Sequence, residues 1–514
     1  MAVTEAPFSE RVRGVVAGAC ARVPQVLDGG RREFVVCGAL TVVLIVLRSI
    51  VFTFYEETYF NSDQAIIGLM AKHVSEFRHF PLFYYGQNYL LAVQAWFLAP
   101  FFWLVPPSVA SMRLPLVFLN IVAAVVLIRM LWRETNVRPG MAFIALLPFI
   151  IPPPFVAASL LDGNGCGAGE LLLYVAGLWA LRRRPLIFGA VLLVAYLHRE
   201  FVLAVVPALF VVEVLDRTAS PATTLRRWSQ AALAFAAAWL VVDDLRFHLE
   251  GASIALQAKQ LFGNNLSYGL WALPERLLYV FTDAFPFLLG WGRYKLTHVG
   301  ISVSARAGST PAASLILVAL GLMIARLLWN RGKGWDRSAS FPLFLLVAGL
   351  AMLFAYPLSA GVKIHTPPLV RYLHLALLVP TGIFALFMHL ERRAGWRRAV
   401  AAAFALAATL NLVDTVSTLH AAQTRPLPGY HRQLATLLPL HGIRYARAGY
   451  WDSYVVDFLS REQVVVGSTG KVRIREYESA IHANRDRVAY ISRVPCDGPI
   501  RQFPWCITRA EDKR

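Results

Sequence analysis

The chain has 514 residues, of which 57% are hydrophobic and only 16% charged, against roughly 25% charged in an average soluble domain. A soluble fold of this length has no interior large enough to hide that much apolar surface, so lipid must be the solvent for much of it. The formal net charge of +19 would suit a polyanionic partner, but no single face or tail gathers it, which argues against nucleic acid.

The first thirty or so residues lack the apolar core and small-residue cleavage site of a signal peptide. The apolar run 34–54 is long enough to span and is expected to stay as an anchor, with 1–33 as a cytoplasmic segment. Basic clusters then alternate with apolar segments: Arg129, Arg133 and Arg138; Arg182 to Arg184; Arg226-Arg227; Arg331, Lys333 and Arg337; Arg392-Arg393 with Arg397-Arg398. Placing each cluster inside gives about eleven spans, the later ones near 110–130, 141–160, 170–181, 185–197, 201–215, 228–246, 311–329, 341–358, 371–390 and 398–416. The pair 185–197 and 201–215 is short for spans and reads equally as one helix interrupted at His198-Arg199-Glu200.

This topology makes 34–416 a transmembrane module with external loops near 55–109 and 247–310, and 417–514 an external domain. In the first loop, Ile66, Ile67, Met70, Val74 and Phe77 recur at helical spacing opposite Lys72, Ser75 and Glu76, the pattern of an interfacial amphipathic helix. Tyr89 to Leu104 carries no inside-type charge at either end and contains Pro100, so it reads as a second interfacial or re-entrant helix. In the last hundred residues the apolar runs shorten to strand length, at Gln463–Gly467 and Val488–Ser492, between helical stretches near Trp451–Ser460 and Arg475–Asn484. That alternation predicts a small α/β domain. The fold class expected is thus an all-α polytopic membrane bundle with interfacial helices and a small C-terminal α/β domain.

Polar residues gather at the external ends of the spans. Asp63, in Asn61-Ser62-Asp63-Gln64-Ala65, is either a helix cap or a catalytic carboxylate, with Glu57 close by as a partner acid. Tyr84, Tyr85, Gln87 and Tyr89 lie in a segment that either belongs to an interface belt or stacks on a sugar ring. Lys363, His365 and Arg371 flank a Pro-Pro break, and three cations together there suit an anionic pocket better than separate snorkelling. Arg199 must pair internally or face a cavity. Asp162, Glu170 and Asp243-Asp244 read as local structure. Of the five cysteines, none forms a zinc-type spacing; Cys496 and Cys506, in the external domain, are expected to form a disulfide. There is no phosphate-binding Gly-rich loop, dinucleotide motif or zinc-protease His pair, and no cytoplasmic segment large enough to bind a nucleotide sugar.

The anchor, the Ser62-Asp63-Gln64-Ala65 loop, the amphipathic helix and Phe83-Tyr84-Tyr85-Gly86-Gln87-Asn88-Tyr89 together resemble the GT-C superfamily, nearest to bacterial relatives of protein O-mannosyltransferases and aminoarabinose transferases. Arg371-Tyr372-Leu373, Gly442 to Tyr445, Tyr450-Trp451 and Phe458-Leu459-Ser460 share the likeness. The resemblance implies a glycosyltransferase of the plasma (inner) membrane that moves a sugar from a polyprenyl-phosphate donor to a glycan, lipid or protein acceptor. Transfer would be a single inverting displacement with Asp63 as general base. Arg371 and Lys363, assisted by His365 or Arg199, would stabilise the leaving phosphate, and Tyr84, Tyr85, Gln87, Tyr89 and Glu57 would position sugar and acceptor. Relatives tend to carry an acid where Gln64 and Gln94 stand, so no metal is expected to be required and a divalent ion is the lesser alternative. A transporter or flippase of lipid-linked sugars would instead show mid-membrane charges and repeat symmetry, and a non-catalytic envelope scaffold would make nothing special of Asp63.

Overall fold

The computed structural model describes residues 29–55, 59–135, 137–162, 168–216, 220–250, 270–291, 293–298, 301–306, 310–329, 336–358, 370–425, 429–493 and 498–509. Helix α1 (Gly29–Phe54) has 26 residues, about 39 Å at 1.5 Å each, enough to cross a hydrocarbon core of roughly 30 Å. Its Val35, Val36 and Val43 are exposed apolar side chains, as expected of a face whose solvent is lipid. After α2 (Ser62–Ser75), a two-residue turn at Tyr85-Gly86 joins strands β1 (Phe83–Tyr84) and β2 (Gln87–Leu91). Gly86 has φ +64°, and a Cβ there would stand 3.1 Å from the Arg473 backbone, so the turn needs glycine. Helix α3 (Val93–Leu104) is only 12 residues long with Pro100 inside it, about 18 Å, too short to span.

Helix α4 (Val109–Glu134) begins in a capping box made by Ser108 and Ser111. The span predicted at 141–160 is instead two helices, α5 (Pro139–Ile150) and α6 (Pro154–Ser159). Pro152 and Pro153 between them lack N–H groups and strand the carbonyls of the preceding turn. Arg48 of α1 answers those carbonyls, donating to Phe149 and, at 3.1 Å, to Ile150, and it also reaches Asn120 Oδ1 at 3.3 Å. Asn411 donates to the Ile151 carbonyl at 3.1 Å. An arginine that would be costly in lipid thereby ties α1 to α4 and α5.

Helix α7 (Ala168–Leu181) precedes α8 (Pro185–His198) and α9 (Val205–Asp216). The last two are separate helices, broken where Arg199 turns extended and a 3-10 turn covers Glu200–Ala204. Helix α10 (Pro221–Glu250) has 30 residues. Short helices α11 (Leu273–Tyr279) and α12 (Phe285–Leu288) and an antiparallel hairpin of β3 (Arg293–His298) and β4 (Ile301–Arg306) follow. The bundle is completed by α13 (Thr310–Trp329), α14 (Ser340–Ala355), α15 (Leu378–Leu390) and α16 (Ala394–Thr424). The domain boundary expected at 417 falls inside α16. Among the described residues five helices are long and apolar enough to cross a membrane: Gly29–Phe54, Val109–Glu134, Pro311–Trp329, Arg337–Leu358 and Ala394–Thr424. Most other expected spans fold as apolar helices of 10–17 residues, divided by prolines and 3-10 turns.

The C-terminal residues run α17 (Tyr430–Leu440), β5 (Tyr445–Ala448), α18 (Tyr450–Leu459), β6 (Val465–Ser468), α19 (Arg475–Ala483), β7 (Val488–Arg493), β8 (Ile500–Gln502) and β9 (Trp505–Arg509). They form a five-stranded sheet of order β6-β5-β7-β9-β8, with β5 parallel to β6 and β7 and the β9 pairings antiparallel. Leu434, Leu438, Val456, Val466 and Trp505 fill a core of its own. Helix α18 also packs the other way, because its Tyr454, Val455 and Phe458 belong to the bundle's core. The Phe458 ring lies over Gly68, where a Cβ would come within 2.5 Å of it. Of the polar residues expected opposite the apolar stripe of α2, this packing covers Lys72, 7% exposed, with His73 beside it at 1%, while Ser75 is half-buried and Glu76 stays exposed.

Candidate active site

The sequence leaves Asp63 poised between helix cap and catalytic group, and the fold removes the first role. The cap of α2 is Asn61, whose side chain accepts from the Gln64 N–H at 3.2 Å. The Asp63 carboxylate, 13% exposed, is therefore directed elsewhere: Tyr450 Oη donates to its Oδ1 at 2.5 Å, and Arg371 Nη1 stands 3.8 Å from its Oδ2. Burial and the Asp63 charge push the Tyr450 hydroxyl well up, which keeps it a protonated donor. Tyr84, buried in β1, donates to the Asp63 backbone carbonyl at 2.8 Å, and its hydroxyl is raised by burial and then by the same carboxylate. Arg473 fastens the two tyrosines together. Its Nε reaches Tyr450 Oη at 3.3 Å and its Nη1 reaches the Gly86 carbonyl at 2.9 Å.

The floor under this group is Arg113, fully buried, which donates to the Phe52 and Tyr59 carbonyls and to Gln64 Oε1 at 2.8 Å. Arg113 thus locks the end of α1 to the start of α2. Arg371 is steadied by Tyr372, with Nη2 donating to the phenol at 3.3 Å and the guanidinium over its ring at 5.1 Å. Tyr89 lies between this group and a second one, since Glu200, Arg473, Tyr372 and Arg199 all act on its hydroxyl, though burial and then Glu200 dominate in raising it. Arg199, 6% exposed, also acts on Glu170, which accepts from Gln94 at 2.8 Å.

Of the residues expected at the site, Asp63, Arg371 and Tyr84 come together, with Tyr89 linking them to Arg199. Gln87 lies opposite Tyr84 in the hairpin register. Tyr85 departs from the expectation: its hydroxyl is taken by His73 Nδ1 at 2.9 Å and His79 Nδ1 at 2.8 Å, because the tight turn sends neighbouring side chains apart. Glu57, Lys363, His365 and Cys496 lie outside the described residues; Cys506 is buried and disulfide-bonded. Sequence reasoning missed Tyr450 as a partner of Asp63, and missed Arg473 and Arg113. It left Asp162 to local structure, yet the buried Asp162 carboxylate acts on both Arg113 and Tyr84. Among the described residues no three His, Cys, Asp or Glu side chains gather as metal ligands.

A second carboxylate fixes the C-terminal residues in place. Glu462 accepts from Lys72 Nζ, from Arg78 at 2.8 Å and from Tyr477 Oη at 2.7 Å, and its Oε1 lies 2.9 Å from His73 Nε2. Burial alone would raise its pKa, but the His73 hydrogen bond and charge, with Lys72 and Tyr477, carry it far below the usual carboxylate range.

The overall arrangement of helices and tail has a solved counterpart. ArnT from Cupriavidus metallidurans, crystallised bound to undecaprenyl phosphate, superposes with a TM-score of 0.51 over 92% of this chain and 98% of that one, at 11% identity. The fold is that of the GT-C membrane glycosyltransferases. The apo form of the same ArnT matches equally, with a TM-score of 0.51 at 12% identity. The archaeal oligosaccharyltransferase AglB from Archaeoglobus fulgidus, in complex with an inhibitory peptide and a dolichol-phosphate, gives a TM-score of 0.43 at 14% identity over 89% of this chain and 69% of that one, too loose a likeness to build on. No protein-family model and no curated protein sequence matches the chain. A multi-pass bundle of this fold explains the composition: the apolar helices face lipid, and polar residues collect at the bundle ends, among them the group where α1, α2 and the tail meet.

Proposed function

We propose that this protein is a glycosyltransferase that moves a sugar from a polyprenyl-phosphate donor to a glycan, lipid or protein acceptor at the external face of the plasma (inner) membrane. The observation that carries the reading is Asp63, relieved of capping by Asn61 and set with Arg371 3.8 Å away at one end of a GT-C bundle. Asp63 takes the proton from an acceptor hydroxyl or amine. The freed acceptor atom bonds to the anomeric carbon as the bond from that carbon to the phosphate oxygen breaks, inverting the centre. The phosphate leaves with the electron pair, and Arg371 meets its growing charge in a site that excludes most water. Lys363 and His365 are assigned to the same phosphate by their place in the sequence, and Arg199 to an assisting role beside Tyr89. No metal ion has a role in this scheme.

About eleven segments cross the membrane in this reading, with the N-terminus cytoplasmic and residues 417–514 external. The disulfide at Cys506 supports an oxidising compartment for the tail, with Cys496 as its partner. The deciding experiment supplies purified protein with a radiolabelled polyprenyl-phosphate sugar and an envelope extract as acceptor. Release of free polyprenyl phosphate with label in the acceptor is expected. Movement of intact donor across vesicles without release would make the protein a flippase, and neither outcome would leave a scaffold.

A further inference from the structure

We propose that the end of the bundle opposite Asp63 carries a second binding site, for a membrane lipid with an anionic phosphate headgroup. Helix α4 measures the separation. Arg113 near its start bonds Gln64 beside Asp63, and from there the helix carries the chain about 30 Å to Arg133 and Glu134. There a cavity of about 290 Å³ opens between the ends of α4, α7, α9, α10 and α14. Its lining includes five arginines, Arg133, Arg182, Arg183, Arg227 and Arg337, against two glutamates, Glu134 and Glu213.

The glutamates are held by tryptophans rather than left to neutralise the cavity at large. Trp179 donates to Glu134 at 3.3 Å and Trp228 to Glu213 at 2.7 Å. Each glutamate then answers one arginine, Arg182 at 3.6 Å and Arg227 at 3.5 Å. Five against two leaves an excess of three positive charges around one recess. Such a concentration of like charge is stabilised by an anion that accepts several N–H bonds at once, and phosphate fits the forked geometry of arginine.

The neighbouring surface selects a lipid over a soluble phosphate. A small recess of about 20 Å³ shares Arg182, Leu209, Glu213 and Arg227 with the cavity and leads toward Pro185, Phe188, Trp228 and Ala231. Beside it Leu186, Phe210 and Leu225 are exposed, the condition of side chains that meet acyl chains. The headgroup therefore sits among the arginines at the membrane edge while the acyl chains lie against the exposed Leu186, Phe210 and Leu225 of α8, α9 and α10. This site is independent of the transfer reaction assigned to Asp63.

The test uses the full-length protein, delipidated in detergent and titrated with phosphatidylglycerol, with phosphatidylcholine of the same chains, and with inorganic pyrophosphate, read by native mass spectrometry and by thermal melting. Phosphatidylglycerol should bind and raise the melting temperature, and the other two should not at matched concentration. The double variant Arg183→Gln, Arg337→Gln should weaken that binding on the order of tenfold or more, at about fivefold per arginine. Arg392→Gln, outside the cavity, should leave it unchanged. If the double variant is too unstable to purify, Thr224→Glu on the rim supplies the same reading by repulsion. Undiminished phosphatidylglycerol binding in these variants would overturn the site, and equal binding of pyrophosphate or phosphatidylcholine would overturn its assignment to an anionic lipid.

Discussion

Two carboxylates meet the junction between α2 and the C-terminal residues, one at each end of the helix, and they are treated in opposite ways. At the far end Glu462 is surrounded by Lys72, His73, Arg78 and Tyr477, all within hydrogen-bonding distance. At the near end Asp63 holds a tyrosine at 2.5 Å while its arginine stands off at 3.8 Å. A carboxylate enclosed by cations and hydroxyls is spent on structure, because moving any partner strands a buried charge. One held by a single tyrosine on one oxygen, with its arginine standing off from the other, can still take a substrate proton. The contrast separates a clamp from a catalytic group although both lie on the same interface.

The largest effect expected from this contrast is at Asp63. Asp63→Asn preserves the shape and leaves the Asn61 cap intact, so membrane levels and melting should be normal while transfer falls on the order of 10²–10⁴-fold. Release of polyprenyl phosphate from the labelled donor measures it, and retained activity would return Asp63 to structure. Arg371→Ala should follow, at on the order of 10²-fold in kcat with the fold intact, and Arg371→Lys should recover part of the loss because charge remains without the fork.

Glu462 should behave in the opposite sense. Glu462→Gln is expected to loosen the tail by about 3 kcal/mol, visible as faster proteolysis near 460 and a lower melting temperature, with chemistry affected only through displacement of Tyr450. Its pH dependence has a defined sign. The folded-state pKa lies below that of the unfolded chain, so the stabilisation is complete above the ordinary glutamate value of about 4.3 and is lost as pH falls below it. The protection factors of the α18 amides, corrected for the intrinsic pH dependence of exchange, should be constant from neutral pH to about 5 and fall only in stronger acid; a fall already near pH 6 would mean that another group holds the tail.

Legibility from sequence divides along the same line. The long apolar helices, such as α1 and α4, could be read because lipid imposes their length and composition directly, and α18 and α19 could be read from their amphipathic spacing. Strand β5 could not: Tyr-Ala-Arg-Ala has little β-forming character, and its central place in the sheet comes from β6 and β7 on either side. The burial of Lys72 could not be read from α2, because nothing local announces Glu462, which meets it from 390 positions away. Asp63 stood out through its own neighbourhood, whereas Tyr450 lies 387 residues on and Arg473 later still in a loop without pattern. The proline break at 152–153 is passed over when 141–160 reads as one span, and so is its consequence, an arginine buried in α1 to answer the freed carbonyls.

The smallest expected effect tests whether Tyr450 belongs to the clamp or to the chemistry. Its ring packs edge-on against Trp451 and Tyr454 at 5.0 and 5.7 Å, contacts that Tyr450→Phe keeps. The substitution removes only the hydroxyl, and with it the hydrogen bonds to Asp63 and from Arg473, while the Arg473 guanidinium stays over the ring. If the phenol merely braces the tail, stability should fall by about 1 kcal/mol with kcat and KM unchanged. If it orients the carboxylate for the acceptor, kcat should fall on the order of tenfold while donor KM stays constant, since a hydrogen bond to a charged group contributes about 1.5–3 kcal/mol. The second result is expected, because Arg473 and burial hold Tyr450 against Asp63 more firmly than docking requires when Phe458 and Glu462 already fasten the same helix. Melting and donor KM measured on one preparation distinguish the two outcomes, and an unchanged kcat would assign Tyr450 to the tail alone.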